Sequence, residues 1–391
     1  MNILVTDGLA KEGIELLTKE EYTIINEKPE DLADSIRAFD ALIVRSATKV
    51  TRRVIEAGKD RLKIIGRAGV GYDNIDVEAA TEYGIIVKTA PHGNTTATAE
   101  LALELMLDAS RNVPQSYSVL RSNVWGKKGF GGYELTGKIL GIIGCGRVGK
   151  KLSELVQGFR MEVIGYDPYQ QNGEGIKYVP LDDLIAKADY ISLHAPVQEK
   201  PIISERELRL MKNTAFLVNT SRGENIDEEA LYKALSEGWI RGAALDVYKE
   251  EGEEGQHYGN RLFELPNFIG TPHLGASTKE AQRKTGIEVA QVVIDYLKKG
   301  DFGNAINVGG EVETAEQETY KLFVHHEDIP GAFAKIDDVL SKNNVNIREI
   351  RSRKVGQQAT AVYILTTEPS EGVMAQVRDL EVVRYVRYNF R

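Results

Sequence analysis

The sequence predicts an α/β protein in which two doubly wound parallel-sheet domains are followed by a smaller ferredoxin-like unit. Three observations predict it. Short apolar runs alternate with amphipathic stretches twice, over 1–90 and over 138–272. A glycine fingerprint, GCGRVG, follows a strand-like run deep in the chain instead of opening it. The segment 319–391 carries a third, different order, β-α-β-β-α-β.

In the first alternation NILVT, YTIIN, ALIVRS, LKIIG and IIVKT read as strands, with KEGIELLTKE, PEDLADSIRAF and TRRVIEAGKD as helices between them. That rhythm needs crossover helices on both faces of a parallel sheet. NTTATAELALELMLDASRNVPQSYSVLRSNVW then predicts one long buried helix linking two lobes, apolar on more than one face through Leu101, Leu103, Leu105, Met106 and Leu107. The second alternation runs KILGIIG, MEVIGYD, YISLHAP, AFLVNTS, RGAALDV and NFIGTPH, separated by helical stretches such as DDLIAKAD and DEEALYKALSEG. STKEAQRKTGIEVAQVVIDYLKKG adds an amphipathic helix, expected to return to the first lobe and make that domain discontinuous. GGEVETAEQE is acidic, glycine-led and aperiodic, as a linker is. Beyond it YKLFVHH, AFAKIDDVLSKNN, VNIREIRSRKV, ATAVYILTT, GVMAQVRDL and VVRYVRYNF complete the third unit.

Composition narrows the function. The chain has 391 residues, 42% of them hydrophobic, and a formal net charge of −9. That balance argues against a general nucleic-acid binder, although a few arginines and helix N-termini suffice for small anions. The single cysteine, Cys145, excludes an intramolecular disulfide and a cysteine-rich metal centre, and no metal is expected. Asp7 falls where a signal peptide needs its apolar region, and no run approaches the roughly 18 apolar residues of a spanning helix. A cytoplasmic enzyme is the expectation.

Gly144, Gly146 and Gly149 give Gly-x-Gly-x-x-Gly, whose glycines serve a tight turn, close approach of a pyrophosphate and helix–strand packing. The helix opening at Arg147 and Val148 points free N–H groups at the phosphates. Asp167 closes the next strand, where a carboxylate accepts from both ribose hydroxyls and repels a 2′-phosphate. NAD is therefore expected over NADP. Cys145 reads as a small loop residue, since nothing adjacent activates it as a nucleophile. A second glycine cluster, GRAGVGYDN, lacks the fingerprint spacing. It is either a plain turn or a loop whose N–H groups, around Gly69 and with Arg67, hold an anion.

Oxidation of a hydroxy acid needs a base for the hydroxyl proton, a group that sets its pKa, and a cation for the carboxylate. There are six histidines. His257 lies in a polar stretch, His325 and His326 lie in the third unit, and His92 and His194 follow strand-like runs and suit backbone hydrogen bonds. His273 ends a strand of the second sheet, where ligands of doubly wound folds lie. Pattern alone leaves it one candidate among others.

LVNTSRGENIDEEAL, AALDVYKEE and GTPHLGAST, in that order after the fingerprint, resemble the D-isomer-specific 2-hydroxyacid dehydrogenase family over about 1–310. The resemblance implies a flavodoxin-like substrate domain built from two chain segments, 1–92 and 280–308, around a Rossmann NAD domain at 93–279. By the same resemblance His273 is the acid/base, Glu251 its carboxylate partner and Arg222 the cation for the substrate carboxylate. Thr220, Asp246, His273 and Gly275 would border the cofactor, Asp246 at its carboxamide. Two departures stand out: Gly252 occupies the place where the family sets proline, and the loop after it is longer. Spacing from Arg222 selects Glu251 over Glu250, against the alternative that Glu250, Glu251, Glu253 and Glu254 form one solvated acidic loop.

The closest likeness within the family is to members acting on a phosphorylated acid, which implies oxidation of 3-phosphoglycerate at the start of serine synthesis. Arg45, Ser46, Arg67, Gly69 and Asn94 match positions around that substrate, and Lys127 would join them from a neighbouring subunit. The alternative pairs Arg45 and Arg67 with surface carboxylates. Segment 319–391, after a linker at 309–318, resembles an ACT domain, an amino-acid-binding module. Its effector residues would be His326, Asp328 and Asn346. Asp328 departs from the asparagine of serine-inhibited relatives and would repel an effector carboxylate. The module's alternative role is oligomer assembly, and a homodimer or homotetramer is expected. Rival functions are another reductase or dehydrogenase of the family, such as a glyoxylate/hydroxypyruvate reductase or a D-lactate type, and an NAD-sensing binding protein.

Overall fold

In the computed structural model, residues 1–126, 128–170, 173, 175–252, 255–303, 305–308, 320–355 and 358–389 are described. The linker expected at 309–318 lies outside them, as does Lys127. The chain forms two compact units, one of Met1–Gly93 with Gln282–Arg391, the other of Asn94–Ala281.

The first unit is built on five parallel strands, β1 (Asn2–Val5), β2 (Thr23–Asn26), β3 (Ala41–Val44), β4 (Ile64–Arg67) and β5 (Ile86–Thr89), in the order β2-β1-β3-β4-β5. Strands β3 and β5 are buried along their whole length. In β3, ALIV, burial on both faces gives the unbroken apolar run of a covered parallel strand, whereas β5, IVKT, buries Lys88 and Thr89 as well. The helix Lys279–Lys299 lays Val289, Ala290, Val293 and Ile294 against Ile3, Ile43, Ile64 and Ile86.

Four antiparallel strands belong to the same unit. In the second unit seven parallel strands precede them in the chain: β6 (Ile139–Ile143), β7 (Glu162–Tyr166), β8 (Lys177–Tyr178), β9 (Tyr190–Leu193), β10 (Phe216–Asn219), β11 (Gly242–Leu245) and β12 (Phe268–Gly270). Their order is β12-β11-β10-β9-β6-β7-β8, which reverses between β6 and β9 and so opens a ligand crevice at that point.

The helix expected over 94–125 is two helices. Thr95–Arg111 buries Ala99, Ala102, Leu105 and Met106, and Asn112 then turns left-handed at φ 52°. Pro114 explains the break: it lacks an N–H to donate, and its ring clashes with the preceding turn. The second helix, Val113–Arg121, buries no residue and exposes Val113, Tyr117 and Leu120.

The C-terminal strands are β13 (Tyr320–Glu327), β14 (Ile347–Val355), β15 (Gln358–Leu365) and β16 (Val383–Asn389), in the order β14-β15-β13-β16 with helices Ala332–Lys342 and Glu371–Arg378 between them. One face puts Leu322, Val324, Ala361 and Tyr363 against Ile336, Leu340 and Val377 of those helices. Alternate residues Phe323, Val362 and Ile364 enter the core of the first unit's parallel sheet. Polar contacts reinforce that packing. Arg387 donates to the carbonyls of Leu62 (3.1 Å) and Gly84 (3.2 Å), and Thr360 to that of Asn307 (2.9 Å).

Candidate active site

The glycine fingerprint sits where the seven-stranded sheet reverses. Gly144 leaves β6 at φ 91°, and a Cβ there would lie 2.7 Å from the Ala195 nitrogen. A Cβ on Gly149 would lie 2.4 Å from the Gly144 oxygen, so the helix Arg147–Leu155 approaches the strand only because that position is bare. A Cβ on Gly146 would meet nothing within 4 Å. This open shoulder, with Arg147 and Val148 starting a helix that has no side-chain cap at its N-terminus among the described residues, fits a pyrophosphate.

Asp167 follows β7 and accepts from the N–H groups of Cys145 (2.9 Å), Tyr169 (2.8 Å) and Gln170 (3.0 Å), which fix its carboxylate. The buried hydroxyl of Thr220, just past β10, has no partner among the described residues and also fits a polar ligand. Cys145 is buried, and burial with the neighbouring Asp167 pushes its thiol up to about 11, so it is no nucleophile at neutral pH.

His273 is carried by the turn after β12, itself in the left-handed region at φ 54°. Its Nδ1 lies 2.9 Å from the Glu251 carboxylate. That hydrogen bond raises the imidazole pKa, against the opposing effect of burial, and Arg222 weighs against protonation. With Nδ1–H donated to Glu251, Nε2 is the nitrogen left to exchange a proton. Asp246 holds the turn. It accepts from the Thr271 hydroxyl (2.7 Å) and from the N–H groups of Leu274 (2.7 Å) and Gly275 (2.9 Å), while burial raises its own pKa. Asp246, which the family resemblance implies for the cofactor carboxamide, thus also organises the histidine turn.

Arg222 follows β10, its guanidinium donating to the Ser221 carbonyl (2.7 Å) and its carbonyl accepting from the Asn219 amide (2.8 Å). A Cβ on Gly223 would lie 1.9 Å from the Tyr248 carbonyl carbon. The arginine loop thus rests directly on the backbone that leads to Glu251. The other histidines have separate roles. His194 is half-buried, pushed down to about 4 by desolvation, and pairs with the Ser192 hydroxyl (2.9 Å). His92 pairs with Glu288 (2.6 Å), His257 is exposed, and His325 pairs with Gln358 (2.5 Å).

In the first unit, Arg45 and exposed Ser46 follow β3. The loop is pinned by Asp7, which accepts from Arg45 N–H (2.7 Å) and from Thr48 N–H (3.2 Å) and hydroxyl (2.6 Å). Asn74 donates to the carbonyls of Arg45 (2.8 Å) and Thr48 (2.6 Å). Arg67 ends β4 and folds over Gly69, donating to the Ala68 carbonyl (3.0 Å). Asn94 begins the second unit, and its buried Oδ1 has no partner among the described residues.

The three expected effector residues do not meet within one chain. His326 is buried near one end of β13, its Nδ1 on the Glu327 carbonyl (2.9 Å), and Asp328 pairs with Lys354 (2.9 Å). Asn346 precedes β14 and donates to the Thr366 hydroxyl (2.7 Å). Register places Ile347 across from Leu365 and Leu365 across from Tyr320, while His326 faces Ala359. At about 3.3 Å per residue that separation is roughly 20 Å along the sheet.

Among the described residues no three His, Cys, Asp or Glu gather to hold a metal ion, and no helix is long and apolar enough to cross a membrane.

Residues 103–275 match the NAD binding domain of the D-isomer specific 2-hydroxyacid dehydrogenases. The chain is 43% identical over 299 residues to a hydroxypyruvate reductase of Thermotoga maritima, covering 75% of this chain and 97% of that protein. The chain belongs to the D-isomer specific 2-hydroxyacid dehydrogenase family. It is also 46% identical over 317 residues to a D-3-phosphoglycerate dehydrogenase of Methanocaldococcus jannaschii, covering 79% of this chain and 60% of that protein. It spans between 50% and 64% of the length of this and two further D-3-phosphoglycerate dehydrogenases it matches. Among solved structures, an acyclic imino acid reductase in complex with NADPH and D-Arg superposes with a TM-score of 0.70 at 30% identity, covering 78% of this chain and all of that one.

Membership in this 2-hydroxyacid dehydrogenase family leaves the supports of its loops to be read from the structure. Asn74 and Gly223 were not singled out from the sequence, and Asp7 was noted only against a signal peptide. Asp7 and Thr48 are separated by 41 positions, a spacing with no period to reveal it. The one available signal was the GRAGVGYDN segment that contains Asn74, read as either a plain turn or an anion loop.

Proposed function

We propose that the chain is an NAD-dependent dehydrogenase that oxidises D-3-phosphoglycerate at C2 to 3-phosphohydroxypyruvate, the entry to L-serine synthesis in the cytoplasm. The observation that carries the reading is the His273–Glu251 pair, 2.9 Å apart, at the end of a dinucleotide-binding sheet. When bound, NAD supplies the acceptor for the C2 hydrogen. His273 Nε2 takes the hydroxyl proton, and Glu251 stabilises the resulting imidazolium. Arg222 grips the substrate carboxylate bidentately and orients C2. Gly144, Gly146, Arg147, Val148, Gly149, Asp167, Thr220, Asp246, His273 and Gly275 form the cofactor set. Arg45, Ser46, Arg67, Gly69 and Asn94 receive the substrate, the arginines answering the phosphate charge.

The exposed apolar side chains Val113, Tyr117, Leu120, Val124 and Trp125 support a homodimer through the second unit. Segment 319–391 is proposed to be an ACT-type regulatory domain. Because β14 is an edge strand, antiparallel pairing of two copies through it would bring Asn346 of one chain to the His326 end of the other. An amino-acid effector such as L-serine would then need both copies.

The test is NADH formation at 340 nm from 3-phosphoglycerate, with D-lactate and D-glycerate as controls, each with and without L-serine. Turnover confined to the phosphorylated acid is expected. The near full-length similarity to a hydroxypyruvate reductase favours a second reading, reduction of hydroxypyruvate. Preference for D-glycerate in the same assay would select it.

A further inference from the structure

Glu251 stands on an exposed loop with Gly252 after it. Glycine gives the chain its greatest conformational freedom. A carboxylate that must stay 2.9 Å from His273 beside such a residue needs its restraint from elsewhere.

Tyr258 is placed to give it. Its hydroxyl donates to the Glu250 carbonyl at 2.5 Å. Its side chain lies on Gly252, where an added Cβ would be 3.1 Å from the Tyr258 Cβ, Cγ and Cδ2 atoms. The residues on either side of Glu251 are thereby held by one phenol ring. The ring is itself locked edge-on against Tyr248 (5.7 Å between centroids) and Phe263 (5.8 Å). Glu228, in the first turn of the helix Glu228–Ser236, fastens both ends of the loop. One carboxylate oxygen accepts from Lys249 N–H (2.6 Å) and the other from the Asn260 amide (3.1 Å).

We propose that Tyr258 is the positioning residue for Glu251, holding its carboxylate against His273 through the Glu250 carbonyl and the Gly252 backbone, with Glu228 anchoring the loop. The proposal rests on the reading of His273 and Glu251 as the acid/base pair. The charged groups acting on His273 are Glu251, Asp246 and Arg222, and only the first is carried by this loop.

The test is a double-mutant cycle on the full chain with Tyr258→Phe, Glu251→Gln and the pair together. The main readout is the pH profile of kcat/KM for reduction of 3-phosphohydroxypyruvate, which requires the imidazolium. NMR titration of the His273 ring in the absence of cofactor gives a second readout. Removing the phenol hydroxyl should lower the His273 midpoint by roughly half a pH unit, about what one lost hydrogen bond to its partner allows. Glu251→Gln should lower it further, and Tyr258→Phe should add nothing in that background. NADH affinity, followed by fluorescence, should stay within about twofold, since the fingerprint lies elsewhere. An unmoved midpoint in Tyr258→Phe beside a moved one in Glu251→Gln overturns the proposal, as do additive shifts. An unmoved midpoint in Glu251→Gln instead sinks the acid/base reading and takes the proposal with it.

Discussion

Two glycines three residues apart should fail in opposite ways when each gains a methyl group. At Gly149 the new Cβ would sit 2.4 Å from a backbone oxygen and 2.9 Å from Ile142 Cγ2. An ordinary carbon–oxygen contact is about 3.3 Å, so the helix must retreat by about 0.9 Å from a strand it is packed on. Overpacking of that kind costs about 1–3 kcal/mol. For a domain of this size that is a fall in Tm of roughly 3–10 °C. At Gly146 the new Cβ meets nothing within 4 Å, and stability should stay within about 0.5 kcal/mol. The methyl instead occupies the shoulder proposed for the pyrophosphate. Loss of one charge-assisted hydrogen bond there, about 1.5–3 kcal/mol, weakens NADH binding by roughly 10- to 100-fold. Scanning calorimetry and NADH fluorescence titration on both variants separate the two effects. Wild-type NADH affinity in Gly146→Ala would refute the placement of the dinucleotide, and an unchanged Tm in Gly149→Ala would refute the packing argument.

Other outcomes follow from the same geometry. His273→Ala should lower kcat by roughly 10²–10⁴-fold with NADH binding retained, measured by steady-state kinetics and fluorescence. Because Glu251 raises the His273 pKa, reduction, which needs imidazolium, should persist above the ordinary histidine value and fall as pH passes the raised one. Oxidation should rise through the same midpoint, and Glu251→Gln should move both limbs to lower pH. Asp167→Asn keeps an acceptor for the Cys145, Tyr169 or Gln170 N–H groups but removes the charge, and should narrow the NAD over NADP preference by about tenfold in kcat/KM. Lys88 is fully buried and paired with Asp301 at 2.9 Å, so Asp301→Ala should cost about 3–5 kcal/mol in urea unfolding, while Lys88→Met should cost far less.

What the sequence disclosed, and what it concealed, divides along physical lines. Strands such as Ala41–Val44 were legible because burial on both faces leaves no polar residue to interrupt the run. The fingerprint was legible because three backbone constraints fall within six residues. The break at Asn112 was also written there, in Asn-Val-Pro, but the apolar periodicity on both sides masked it. The short helix Val77–Glu82 went unnoticed although Asp76 caps it, because six residues make too little pattern. Side chains that brace a loop from afar carry no local mark at all. Glu228 and Asn260 stand 32 positions apart, with β11 between them. Register, likewise, is invisible before pairing: nothing in the order of His326 and Asn346 says that a sheet's length will separate them.

The discontinuous first unit also sets an order of events during synthesis. One face of its parallel sheet, with Ile3, Ile43, Ile64 and Ile86, is covered by Val289, Ala290, Val293 and Ile294. Those covering residues leave the ribosome roughly 200 residues after the last of the strands, about ten to forty seconds later at 5–20 residues per second. Through that interval the amino-terminal strands present a bare apolar face, while the central unit has all its own strands in one continuous stretch and can close first. The segment made first is thus the one completed last, and it is there that a nascent chain has most need of a chaperone.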